Sequence, residues 1–129
     1  MTVRIQRVEN AAVALAVAVV FVTSGYPWWT LLAMFLIFDL SAVGYLSNGR
    51  LGPLLYNAVH NYAGPAVLTA AYALGVVWGL NVWAIGLLAG CWAFHVAVDR
   101  TLGYGLKTER GFRHTHLGVI GRSRRDPSE

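Results

Sequence analysis

The sequence predicts an all-α fold, a bundle of four antiparallel transmembrane helices with a C-terminal loop on the cytoplasmic side. Three observations predict it. With 57% hydrophobic against 12% charged residues, the chain is more apolar than an ordinary soluble domain. Four stretches, roughly 8–25, 28–46, 53–77 and 80–102, approach the about 20 apolar residues that a spanning helix needs. The links at 26–27, at 47–52 and around Gly79 are short, and short links make neighbouring helices antiparallel. The chain of 129 residues is expected to form one domain, 1–121, in which 103–121 is an ordered loop, followed by a disordered basic tail at 122–129.

Charge orients the bundle. All ten Lys and Arg residues fall on one side, at Arg4, Arg7, Arg50, Arg100 and the six that follow, so both termini are expected in the cytoplasm. The net charge of +4 is then a topology signal with some attraction to anionic lipid, and no nucleic-acid partner is implied. Arg4, Arg7, the apolar run 11–22 and Ser24-Gly25 also match a signal peptide, whose removal would discard Glu9. The single Cys91 excludes an internal disulfide.

The first helix, VENAAVALAVAVVFVTS, carries Glu9 near its start, where it either complements the helix dipole or turns inward to a polar centre. Pro27 with Trp28 and Trp29 marks a turn and an interfacial anchor. In the second helix Asp39 sits within an apolar run; unpaired at membrane depth it would cost about 2.5–3.5 kcal/mol, so it should face the bundle and find a partner. Tyr45 follows as an anchor or as a hydrogen-bonding group for that centre. Pro53 suits the first position of the third helix, Asn57 and His60 share a face, and Pro65 should kink the chain beside His60.

The fourth helix has two faces. His95 and Asp99 lie one turn apart on a stripe with Leu88, Cys91 and Leu102, while Gly86, Gly90, Ala93 and Ala97 form a smooth stripe opposite. Small residues let membrane helices approach closely, so the second stripe is a candidate homodimer contact, unless it reflects only the usual composition of such helices. Beyond it, Gly103, Gly105, Gly111 and Gly118 punctuate a polar segment that is expected to fold back on the bundle.

Counted inward at about 1.5 Å per residue, Asp39 and His60 lie roughly 10 Å from the cytoplasmic ends, His95 is shallower, and Asp99 and Glu9 are near the boundary. Imidazoles and carboxylates meeting from facing helices suit a transition metal such as Zn or Fe. They suit equally a buried hydrogen-bonded network without metal, or a proton or ion pathway. His114 and His116 either add ligands from the loop or are exposed.

The series DLSAVGYL, YNAVH, HVAVDRTLGYGLK and GFRHTHLG resembles a family of small bacterial integral membrane proteins of unassigned function, with the pattern D-x3-GY, YN-x2-H, H-x3-DR-x2-GYGLK and GF-x2-THLG. The resemblance runs from Glu9 to Gly118 and implies four membrane helices, a multi-pass protein of the bacterial inner membrane, and no particular reaction. It points to Glu9, Asp39, Tyr45, Asn57, His60, His95, Asp99, Arg100, Tyr104, His116 and either His114 or Thr115. The run Arg113-His114-Thr115-His116-Leu117 also partly resembles the HR-x2-THS signature of membrane-bound metal-dependent hydrolases, although Leu117 stands where that signature has serine.

Together these readings suggest a candidate metal-dependent hydrolase acting on a membrane-resident or lipid-like substrate. His60, His95, His116, Asp39 and Asp99 are the candidate ligands for Zn or Fe, with Asp39, Asp99 and Glu9 for acid–base work. Asn57, Arg100, Tyr104 and Lys107 are candidates for substrate binding. The alternatives are a structural or interaction protein with a buried polar network, and a metal redox or proton-relay protein.

Overall fold

Helix α5 (Trp83–Leu102) is the element that the others pack on. The computed structural model describes residues 2–41, 51–108, 111–116 and 118–120. Alongside α5 runs α1 (Thr2–Thr23), antiparallel and tied at both ends. Arg7 Nε donates to the Thr101 carbonyl at 2.7 Å, and the Tyr26 hydroxyl donates to the Trp83 carbonyl at 3.2 Å. Helices α2 (Trp29–Asp39) and α4 (Ala63–Val77) also lie against α5, while α3 (Leu51–Val59) packs on the C-terminal strands.

Small residues explain why α5 can serve three neighbours. An added Cβ at Gly90 would lie 2.4 Å from the Phe21 ring, and one at Gly86 would lie 2.0 Å from the Tyr26 hydroxyl and 2.7 Å from Tyr72. These glycines, half of the stripe that the sequence offers for a homodimer, therefore receive α1 and α4 of the same chain. Phe21, Tyr26, Leu31 and Cys91 form the buried apolar cluster, with Phe38, Leu87 and Phe94 packed against it.

The expected four-transmembrane bundle, and with it the multi-pass inner-membrane placement, is not what forms. Among the described residues one helix, α1, is long and apolar enough to cross a membrane. Among the described residues the second stretch forms an α-helix of 11 residues that ends at Asp39, the third is divided at 60–62 into α3 and α4, and α5 carries His95, Asp99 and Arg100 in its last turns. Apolar runs stand on both sides of the division at 60–62, which is why the sequence reads there as one helix with a kink. Large apolar side chains remain exposed on α1, α2 and α4, among them Leu15, Leu36, Val67 and Val77.

The fold is also not purely helical. Gly103, at φ 96°, ends α5 in the left-handed conformation that a side chain would resist, and Tyr104 N–H closes the turn on the Asp99 carbonyl at 2.8 Å. The chain then reverses into an antiparallel sheet of order β1 (Lys107–Thr108), β2 (Gly111–Thr115), β3 (Gly118–Val119). Lys107 pairs with Thr115, and His114 with Val119. These strands are too short to announce themselves by alternation, and β1 is anchored from outside by α3, as described below.

Candidate metal centre

Four chemistry-bearing side chains come from three places. Asp39 is the last residue of α2, His60 is the first residue after α3, and His95 and Asp99 are one turn apart on α5. The division between α3 and α4 is what frees His60 to turn inward. Pro65 has no N–H to continue the helix ladder, and the carbonyls exposed at the break are taken up by α5. Trp92 Nε1 donates to Val59 O at 2.5 Å and Arg100 Nη2 to His60 O at 3.1 Å. Asn61 secures the other side, donating to Asn57 O at 2.6 Å and accepting from Ala63 N–H at 2.8 Å.

The four groups converge on one point. His60 Nε2 and His95 Nε2 are 2.9 Å apart, and Asp39 Oδ1 lies 3.5 Å from the first and 3.6 Å from the second. Asp99 Oδ2 lies 3.4 Å from His60 Nε2 and 3.8 Å from His95 Nε2. All four ligand atoms are within 4.8 Å of one another, a group of two histidines and two aspartates able to chelate a divalent metal. Ligands at about 2.0–2.1 Å from a tetrahedral ion would be roughly 3.3–3.4 Å apart. The observed histidine–histidine and histidine–carboxylate separations bracket that value.

Hydrogen bonding sets the tautomer of His60. Its Nδ1–H donates to the Tyr56 carbonyl at 2.9 Å, which leaves a lone pair on the Nε2 that faces the centre. His95 is fully buried between Phe35 and Phe38, with ring centroids at 4.4 and 5.4 Å. Asp99 is buried and accepts from the Tyr56 hydroxyl at 3.2 Å, whereas the Asp39 side chain is 46% exposed and forms the open side of the site.

Burial dominates the electrostatics. It pushes His95 down to about 4, helped by the neighbouring charge of His60 and opposed by Asp39. His60 is lowered too, chiefly by burial, against the Tyr56 carbonyl and Asp39. Asp99 is raised to about 6, first by burial and then by the Asp39 carboxylate, with Tyr56, Lys107 and Arg100 pulling the other way. Neutral imidazoles beside two carboxylates that repel one another are an environment a dication relieves.

The other residues singled out from the sequence lie around this centre or away from it. Asn57 pairs its side-chain amide with the main chain of Lys107, donating to the carbonyl at 2.8 Å and accepting from the N–H at 2.6 Å, and so fastens β1 to α3. Lys107 is 4% exposed, with Nζ 4.7 Å from the Tyr56 ring centroid and 5.8 Å from that of Tyr104. Arg100 Nη1 lies 2.8 Å from His116 Nε2, and His116 Nδ1 accepts from Leu106 N–H at 2.8 Å. His116 therefore joins the sheet to Arg100 and is not among the four converging groups. Glu9 is exposed on α1, His114 is half-buried on β2, and Tyr45 lies outside the described residues.

Tyr56 is the residue that sequence reasoning passed over. It stands one helical turn before His60, and that i, i+4 spacing was the signal available.

A family model described as a domain of unknown function (DUF4260) matches residues 3–120. No curated protein and no solved structure matches the chain.

Proposed function

This chain belongs to the DUF4260 family, and we propose that it is a metal-binding protein whose function centres on one divalent transition-metal ion, zinc or iron, held by His60, His95, Asp39 and Asp99. The observation that carries this reading is the convergence of two imidazole nitrogens and two carboxylates at separations suited to a single ion. Imidazole with carboxylate suits zinc and iron, and two carboxylates with two neutral histidines balance a +2 charge.

The half-exposed side of Asp39 is where a small exogenous ligand would reach the ion. A structural or redox role for the metal is favoured over hydrolysis. Four protein ligands fill the tetrahedral shell in which a hydrolytic zinc keeps one position for water, so an exogenous ligand would have to enter as a fifth. A second reading has its own support. With His60 Nε2 bare, His95 Nε2–H can donate to it at 2.9 Å, so the cluster can also close as a metal-free hydrogen-bonded network that fixes α3 against α5.

Elemental analysis of the purified protein separates the two. The metal reading expects about one equivalent of transition metal in the wild type, lost in both His60→Ala and His95→Ala. A folded wild-type preparation that takes up neither zinc nor iron(II) on dialysis would leave the network reading.

A further inference from the structure

We infer that Tyr56 is the positioning residue of the metal centre, orienting His60, just past the end of α3, and Asp99, on α5, through different parts of the same residue; this rests on the metal reading above. Its carbonyl accepts His60 Nδ1–H at 2.9 Å and fixes the tautomer that presents Nε2. Its ring stacks on the His60 imidazole, with centroids 3.6 Å apart and planes 8° from parallel, which restricts rotation of that imidazole. Its hydroxyl donates to Asp99 Oδ2 at 3.2 Å, the same oxygen that faces both histidines. Tyr56 is itself 4% exposed, so these contacts are held inside the fold.

The arrangement has a chemical consequence at Asp99. A carboxylate oxygen has lone pairs for a hydroxyl and for a metal together, so the Tyr56 bond holds Oδ2 towards the centre and favours binding through that single oxygen. Without the hydroxyl, Asp99 is free to rotate and to offer both oxygens. Lys107 Nζ, 4.7 Å from the Tyr56 ring centroid, ties β1 to the same side chain, so the C-terminal sheet braces the group that aims the ligands.

The test is cobalt(II) titration of wild type and Tyr56→Phe, following the visible d–d bands, whose position reports coordination geometry. Tyr56→Phe keeps the ring and the carbonyl and loses only the hydroxyl. The expected result is an affinity lower by roughly 10- to 100-fold and a shifted spectrum, the usual effect of losing a partner that orients a ligand. Wild type that binds cobalt, beside a variant with the same affinity and the same spectrum, overturns the role of Tyr56 and leaves the metal reading standing. Wild type that binds no cobalt overturns both. If Tyr56→Phe does not fold, side-chain 15N shifts of His60 in zinc-loaded wild type decide. Protonated Nδ1 supports the assignment, and protonated Nε2 overturns it.

Discussion

His60, just past the end of α3, and His95, on α5, bring their Nε2 atoms within 2.9 Å of each other. Two imidazolium ions cannot occupy that arrangement, so the pair holds at most a shared proton or a cation in its place. The same pressure acts on the aspartates, since burial and the nearby Asp39 carboxylate both oppose the charge on Asp99.

From this follows an opposite effect of one substitution on binding and on stability. Asp99→Asn removes a buried carboxylate that is strained in the metal-free protein, and the metal-free variant should melt at a higher temperature than wild type. It should also lose the extra stabilisation that saturating zinc gives the wild type, about 2.7 kcal/mol when the ion is at 100 times its Kd. Thermal melts of both proteins with and without zinc check this; a metal-free variant less stable than wild type would contradict it.

The pH dependence divides in the same way. Asp99 is raised from 3.8 to about 6 in the fold, so its contribution to stability is full below 3.8 and is lost as pH rises through about 6. His95 is lowered from 6.5 to about 4, so its contribution is full above 6.5 and is lost as pH falls through about 4. Between pH 4 and 6 these two slopes oppose each other in the metal-free protein. Metal needs all four groups deprotonated, so the gain in melting temperature on adding zinc should shrink as pH falls below about 6. A gain that stays constant from pH 7 to pH 5 would contradict the proposed ligand set.

The contact beside the break is equally specific. An added Cβ at Gly64 would lie 2.3–2.8 Å from the Trp92 ring, and that ring is held in place by its bond to Val59 O. Gly64→Ala should therefore destabilise the protein by about 1–3 kcal/mol, measured by chemical denaturation. It should also weaken metal binding, because the shifted Trp92 releases the carbonyl next to His60. Gly79→Ala is a poor control, since Gly79 has φ 68° and any side chain there is strained for a different reason.

Part of the centre could be read directly from the chain. His95 and Asp99 share a face because a helix advances 100° per residue, whatever surrounds it. Asp39 and His60 stood out as polar groups within apolar runs, which need partners wherever they are buried. The structure brings these four together and leaves His116, named beside them, with Arg100 and Leu106. Tyr56 was missed because a tyrosine in an apolar helix looks like packing, and its role depends on a carbonyl and a ring face that meet His60 and a hydroxyl that meets Asp99.

The sequence by itself determined the apolar helices, their approximate order and the i, i+4 relation of His95 to Asp99, since these depend on local geometry. Tertiary structure decided the rest. It set where the long apolar stretches stop or divide, because the break at 60–62 is stabilised by Trp92 and Arg100 from a helix some thirty to forty residues away. It also set the short strands after Gly103, whose anchor is the side chain of Asn57, and the rotation of each helix that turns two histidines and two aspartates towards one point. Rotations and distant hydrogen bonds of this kind are fixed by packing between elements, and no local pattern in the chain encodes them.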